Sequence, residues 1–150
     1  MREILFRGKK YNGEWVEGTY YKQTEYYGDK TEAHHIITSK DELEDNMMNV
    51  ERVCPESVGE FTGLSDRNGK RVFEGDILKI ARVSDSTGTY YYPPLDYPVN
   101  VVVKWDLCAW MWETLCDDKR YIGFPEAWCH YECKVIGNVH DNPELLKGGE

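Results

Sequence analysis

The sequence contains no long hydrophobic run, and this absence argues against two classes of protein. None of its 150 residues lie in a segment close to the roughly 20 apolar residues that a transmembrane helix needs. The N-terminal stretch MREILFRGKKYNGEW also lacks the apolar centre of a secretory signal peptide. We therefore expect a protein that is neither inserted in a membrane nor secreted.

Basic clusters are scarce as well. The formal net charge is -9, and no run of Lys or Arg is longer than Lys9-Lys10. A protein that binds the phosphate backbone generally presents a basic face, so the acidic balance disfavours nonspecific nucleic-acid binding. Nucleic-acid binding by a β-barrel stays open as the alternative function, with aromatic rings stacking on bases. Its phosphate contacts would come from Lys79, Arg82, Lys104, Lys119 and Arg120.

The cysteines give no disulfide framework and a poor metal site. There are five of them, an odd number in a chain without a secretory signal, which favours reduced thiols. Cys129 and Cys133 have a spacing found in zinc sites, with His130 between them. Residues four apart on a strand, however, lie roughly 13 Å from each other, and no second close pair exists. We predict neither a metal nor a cofactor.

Catalytic motifs are also missing. The sequence has no glycine-rich phosphate loop, no HExxH and no nucleophile elbow. His34 and His35 are adjacent on a predicted strand, so they point to opposite faces. Glu74 and Asp76 could act as paired carboxylates, but their position around Gly75 favours a role in a turn. We therefore predict that the protein is not an enzyme.

The sequence does contain a series of short apolar segments separated by turn residues. Asn12-Gly13 favours a tight hairpin between predicted strands at 3–7 and 15–22. Further strands are predicted over residues 34–38, 50–53, 59–63, 70–73, 77–80, 99–105, 109–114, 121–124 and 133–139. Short helical turns are predicted at Pro55 and Pro125. The pattern is typical of a mainly β protein.

Two dense turn signals stand close together in TGLSDRNGKRVFEGDILK, residues 62–79. The first contains Gly69, which can take a left-handed conformation, and the second contains Gly75, where a sharp corner favours a residue without a Cβ atom. They enclose one short strand and lead into a longer strand that starts near Asp76. The residues predicted to hold turns are Gly69, Gly75, Asp76, Gly137 and Asn138.

The order of these segments predicts one compact unit with two β subdomains. Residues 1–61 would form an N-terminal antiparallel β subdomain. Residues 62–142 would form a small SH3-like β-barrel, since closure removes unpaired strand edges. Residues 143–150 would be an exposed tail.

Several strings resemble the YopX family of proteins carried by bacteriophages and prophages. They are EILFRGK (3–9), EWVEG (14–18), TGLSDRNGKRVFEGDIL (62–78), VVVKWD (101–106) and VIGNVHDNPELL (135–146). The combination of the third and fifth strings is the specific feature. The resemblance implies a mostly β fold with a barrel-like second half, and a phage-related gene expressed in the cytoplasm of a bacterial host. It implies no activity, because the family's function is unassigned.

Aromatic residues supply the candidate binding site. The segment 84–98, SDSTGTYYYPPLDYP, and the Trp-rich segment that follows carry aromatic side chains, and such side chains bury a large area at low entropy cost. The predicted binding residues are Tyr90, Tyr91, Tyr92, Tyr97, Trp110 and Trp112. The sequence thus predicts a noncatalytic protein-binding or assembly module, whose partner is another protein or a second copy in a homo-oligomer.

Overall fold

A computed structural model describes residues 3–38, 49–82, 99–106, 109–114, 121–123 and 131–146. Within these ranges the chain forms eleven strands in two antiparallel sheets, together with two short 3-10 turns. The prediction of a mainly β fold is confirmed. None of the described residues forms a helix with the length and apolarity that a membrane crossing requires. The helical turn predicted at Pro125 lies outside these ranges.

The chain divides into two compact units, Met1–Phe61 and Thr62–Glu150. The strands of the first unit are antiparallel neighbours along a single sheet. They are β1 (Phe6–Lys9), β2 (Trp15–Tyr27), β3 (Asp29–Thr38) and β4 (Asn49–Arg52), followed by the start of β5 (Gly59–Ser65). A 3-10 turn at Pro55–Ser57 connects β4 to β5, in agreement with the helical turn predicted at Pro55.

The turn between β1 and β2 uses local hydrogen bonds and a left-handed glycine. Gly13 has a φ of 92°, and its N–H donates to the Lys10 carbonyl at 2.9 Å. The Asn12 side-chain oxygen accepts the N–H of Glu14 at 3.0 Å. The hairpin therefore places Phe6 opposite Gly18 in the antiparallel register.

The first unit has a few fully buried side chains at its centre and a close contact between the backbones of β2 and β3. Ile36 and Val53 are completely buried, and burial of each such side chain stabilises the fold by about 1.5–3 kcal/mol. At Gly18, a Cβ atom would lie 1.9 Å from the Ile37 carbonyl oxygen. Glycine therefore lets β2 and β3 approach more closely than any other residue would allow.

The second unit contains the rest of β5 and a five-stranded antiparallel sheet. Its strands after β5 are β6 (Arg71–Phe73), β7 (Asp76–Arg82), β8 (Val99–Asp106), β9 (Ala109–Thr114), β10 (Tyr121–Gly123) and β11 (Tyr131–Asn138). The order in the five-stranded sheet is β10-β9-β8-β7-β11, while β6 lies next to β5 at the end of the other sheet. A second 3-10 turn, Pro143–Leu146, follows β11.

The predicted SH3-like barrel does not close in the described part of the chain. β10 pairs with β9 and β11 pairs with β7, so the sheet has two separate edges. Closure would bring β10 against the outer edge of β11. On that edge the Val135 N–H and the Cys133 carbonyl already bond to residues 66 and 67. The second unit is therefore built on an open antiparallel sheet.

Both faces of the five-stranded sheet carry buried side chains. Val101 and Val103 are fully buried on one face of β8, and Val102 is 3% exposed on the other. The second face lies near the terminal 3-10 turn, because Asn100 donates from its side chain to the Leu145 carbonyl at 3.1 Å. This hydrogen bond places the terminal 3-10 turn beside the face of β8 on which Val102 is buried.

Candidate functional site

The first turn signal forms a strap, residues 66–70, that lies against β11. Asp66 accepts the N–H groups of Asn68 at 2.8 Å and Lys70 at 2.9 Å on one carboxylate oxygen. Its other oxygen accepts the Val135 N–H at 3.0 Å. Gly69 has a φ of 79°, and its N–H donates to the Asp66 carbonyl. The strap is thus organised around one buried carboxylate.

The electrostatics of the strap follow from this geometry. Burial raises the pKa of Asp66, but hydrogen bonds from the N–H groups of Val135, Lys70 and Asn68, with the charge of Lys70, outweigh burial and hold it below the ordinary 3.8. Burial, with a contribution from the charge of Asp66, raises the pKa of the nearby Cys133 thiol to about 12. The carboxyl is therefore charged and the thiol protonated at neutral pH.

A pH titration of stability should detect this carboxylate. A depressed pKa stabilises the folded state above the ordinary Asp pKa of about 4, and the contribution is lost as the pH falls through the lowered value. We expect the difference in unfolding free energy between the wild type and Asp66→Asn to be greatest near pH 7 and to shrink below pH about 4. Urea denaturation of dilute protein at several pH values measures it. A constant difference from pH 7 to about 2.5 would contradict the assignment.

The second turn signal forms a corner, residues 74–76, that joins separate parts of the second unit. Gly75 has a φ of 80°, donates its N–H to the Val103 carbonyl and accepts the Val139 N–H, each at 2.9 Å. Asp76 is 1% exposed and accepts the Phe73 N–H at 2.8 Å. The corner therefore ties β8 and the end of β11 to the start of β7.

The end of β11 and the residues after it form a hook, residues 137–146. The Asn138 side-chain oxygen accepts the N–H groups of His140 and Asp141, both at 3.0 Å. Asn142 donates its N–H to the Asn138 carbonyl at 2.9 Å. A Cβ atom at Gly137 would lie 2.4 Å from the Asn142 side-chain oxygen. The hook turns the chain back toward β8.

The strap, the corner and the hook thus contain the five residues at which the sequence predicts turns. In each of them a side-chain oxygen of Asp66, Asp76 or Asn138 accepts backbone N–H groups of the same unit. Within the described residues, no three His, Cys, Asp or Glu side chains come together as a metal site would require. The zinc candidates Cys129 and His130 lie outside the described residues.

An exposed tryptophan, Trp105, lies close to the C-terminal end of β8. Trp105 is 48% exposed, while Trp110, directly opposite it on β9, is only 6% exposed. The two rings meet edge-on, with centroids 4.9 Å apart and an interplanar angle of 74°. Edge-to-face pairs of this kind add about 0.5–1.5 kcal/mol beyond the area that they bury. Trp110 therefore supports Trp105 from below and leaves it available for contact.

The other predicted binding residues are distributed differently. Trp112 lies in β9, opposite Val103 in the register. Tyr90, Tyr91, Tyr92 and Tyr97 lie outside the described residues. Trp105 was not among the predicted binding residues, and in the structure it shares a face of β8 with the buried Val101 and Val103. Its place at the end of the strand, next to the hairpin turn, is the signal that could have identified it.

The basic residues of the alternative function are not gathered into one described patch. Lys79 is exposed on β7, opposite Lys134 of β11. The Lys104 ammonium pairs with the buried carboxylate of Glu113, so its charge is already partly neutralised. Arg82 ends β7, and residues 119 and 120 lie outside the described ranges. The described geometry gives this alternative no specific support.

The two adjacent histidines point to opposite faces of β3 and meet different tyrosines. His34 Nδ1 is 2.8 Å from the Tyr20 hydroxyl. The His35 ring stacks on Tyr21, with centroids 4.9 Å apart and an interplanar angle of 13°. These are cross-strand packing contacts between β2 and β3, and they explain the histidines without a catalytic role.

Comparison with known proteins identifies the family. The chain matches the family described as YopX protein over residues 5–147, nearly its whole length. The chain belongs to the YopX family. Among solved structures it is similar to protein EF1440 from Enterococcus faecalis, at 23% identity over 97% of this chain and 99% of that one, with a TM-score of 0.51. This likeness concerns the fold alone. No curated protein is significantly similar to the chain.

In this YopX-family chain, the most specific strings of the sequence are those with structural roles. TGLSDRNGKRVFEGDIL contains the strap and the corner, and VIGNVHDNPELL contains the end of β11 and the hook. In these segments Asp66, Asp76 and Asn138 accept backbone N–H groups with their side-chain oxygens. These features, by which the chain is recognisable as a YopX-family member, therefore have roles in its architecture.

Proposed function

We propose that this YopX-family protein is a noncatalytic protein-binding or assembly module of bacteriophage or prophage origin, acting in the cytoplasm of a bacterial host. Trp105 is the anchor of its contact surface. The observation that carries the proposal is the half-exposed Trp105 ring held edge-on by the buried Trp110. Its partner is another protein or a second copy of the chain.

The position of Trp105 gives it the properties of a binding anchor. Trp is enriched at energetically important interface positions, because it buries a large area for few rotatable bonds. Trp105 also stands on a strand rather than a loop, and its register is fixed by Lys104 opposite Met111 and Asp106 opposite Ala109. The backbone under the ring is therefore already ordered, which lowers the entropy cost of binding.

Capture from a bacterial lysate tests the proposal and its alternative together. The baits are the wild type, Trp105→Ala and the control Tyr26→Ala, which removes an aromatic ring that is 76% exposed in the first unit. We expect a protein that survives nuclease treatment, is retained by the wild type and by Tyr26→Ala, and is depleted about tenfold or more with Trp105→Ala.

Two outcomes would count against this function. Recovery that disappears with nuclease and with moderate salt would favour nucleic-acid binding, since phosphate contacts weaken steeply as salt rises. Equal recovery of the same proteins by Trp105→Ala and the wild type would remove Trp105 from the contact surface. Circular dichroism of each bait establishes that the substitutions leave the fold intact.

A further inference from the structure

Among the described residues, the strap covers the outer edge of β11 and no strand pairs there. The Arg67 N–H donates to the Cys133 carbonyl at 3.1 Å, and the Val135 N–H donates to an Asp66 carboxylate oxygen at 3.0 Å. On one edge of a strand, the backbone N–H and C=O groups of every second residue point outward and can bond to a neighbouring strand. The Cys133 carbonyl and the Val135 N–H are two such groups. The Asp66 carboxylate thus takes the place of a strand carbonyl. The Arg67 guanidinium adds an ion pair to Glu132 at 2.6 Å.

Without the strap, this edge would be self-complementary. If β11 of a second molecule approached antiparallel about a two-fold axis at Lys134, the Cys133 carbonyl of each copy would face the Val135 N–H of the other. Such symmetric pairing needs no other partner. β11 spans eight residues, Tyr131–Asn138, and a strand edge of this length is prone to pairing between chains.

Lys134 lies where it would oppose that pairing. It is exposed on β11 and stands directly opposite Lys79 of β7. In the symmetric arrangement the two copies of Lys134 would also be placed opposite each other, and like charges in that position destabilise a strand pair. Lysine on an edge strand is a common device against such pairing.

We propose that Asp66 and Lys134 form a two-part guard that prevents the chain from pairing with a second copy through β11. Asp66 holds the strap over the pairing groups, and Lys134 repels a second β11 once the strap is displaced. The two residues therefore act in order: loss of Lys134 has little effect while the strap is in place, and a large effect when it is not. Simple destabilisation by either substitution does not produce this dependence.

The test combines Asp66→Asn, Lys134→Val and the double variant. In Asp66→Asn the side-chain nitrogen would face the Val135 N–H, donor against donor, and weaken the strap. Asn68→Ala is the matched control. Asn68 takes part in the strap through its backbone N–H, so replacing its side chain leaves the hydrogen bond to Asp66 in place. Hydrogen exchange of the Val135 amide by NMR, at a concentration at which each variant is monomeric, reports the edge. Sedimentation over a range of concentrations reports association.

We expect Asp66→Asn to speed exchange of the Val135 amide about tenfold or more, the factor expected for one lost hydrogen bond. It should also introduce weak, concentration-dependent dimers. The double variant should dimerise with a dissociation constant at least about tenfold lower than that of Asp66→Asn. Lys134→Val alone and Asn68→Ala should sediment as the wild type does.

Three results would overturn the proposal. The first is a Val135 amide that exchanges at the wild-type rate in Asp66→Asn. The second is a double variant whose Val135 amide exchanges faster but which associates no more than Asp66→Asn. The third is equal association of Lys134→Val and the double variant. If Asp66→Asn does not fold, Arg67→Pro replaces it. Proline suits the second position of this turn, and the change removes the N–H that reaches Cys133. Combining Arg67→Pro with Lys134→Val should then give stronger association than Arg67→Pro alone, and equal association of the two would overturn the proposal.

Discussion

Replacing Gly18 by alanine is expected to unfold the first unit of the protein. The added Cβ atom would lie 1.9 Å from the Ile37 carbonyl oxygen and 2.8 Å from the Ile37 carbonyl carbon. Both are backbone atoms of β3, so no side-chain rotation can relieve the overlap. β2 and β3 would have to separate, and their pairing runs from Thr19 opposite Ile37 to Tyr27 opposite Asp29. We expect a loss of about 3 kcal/mol or more in unfolding free energy.

Urea denaturation followed by circular dichroism measures this loss. Thr19→Ala is the matched control, because Thr19 is the next residue on β2 and its side chain is exposed. That change should cost less than about 0.5 kcal/mol. A folded Gly18→Ala protein with the stability of the control would show that β2 and β3 do not require this close approach.

Replacing Asp76 by alanine should produce the second large effect. The carboxylate is 1% exposed and accepts the N–H of Phe73, which is itself 2% exposed. Removing the acceptor leaves a buried donor without a partner and opens a small cavity beside the corner. A buried unsatisfied group costs about 1–3 kcal/mol, and the loss of packing adds to it. We expect a total of about 3 kcal/mol in chemical denaturation.

Asp76→Asn separates the hydrogen bond from the shape of the side chain. Its amide oxygen can still accept the Phe73 N–H, so this variant should recover part of the stability that Asp76→Ala loses. Lys79→Ala, on the exposed part of the same strand, should change stability by less than about 0.5 kcal/mol. If Asp76→Ala were as stable as Lys79→Ala, the corner would not depend on its buried carboxylate.

Local sequence patterns predict much of the fold, because most of its strands and turns are determined by residues close together in the sequence. Alternation and turn residues predict the strand at 109–114 with the bounds of β9, and place the strand at 99–105 within one residue of β8. The prediction is poorest for the β2–β3 hairpin. Its outer part, KQTEYYGDKTEA, is polar and shows little alternation. Cross-strand pairing extends it instead, including an ion pair between Lys22 and Glu32 at 3.1 Å.

Contacts between distant parts of the chain could not be predicted in this way. The Asn68 and Lys70 bonds to Asp66 are within reach of turn rules, but the bond from Val135 comes from 69 residues away. The same contact occupies the edge that a closed barrel would need. Similarly, the exposure of Trp105 could not be predicted from local patterns. The pairing of the neighbouring strand β7 reaches only Val102 of β8, opposite Ile77, and stops short of Trp105. The proposed role of Trp105 as an anchor rests on its exposure and on its contact with Trp110 in the structure.

The measurement that tests the contact surface most directly is the affinity of a captured partner for the purified protein. Titration by calorimetry would compare the wild type, Trp105→Ala, Trp105→Phe and Tyr26→Ala. If Trp105 is the anchor, Trp105→Ala weakens binding about thirtyfold, the effect of a residue worth about 2 kcal/mol, while Trp105→Phe retains part of the affinity and Tyr26→Ala all of it. Equal affinity of Trp105→Ala and the wild type would contradict the account.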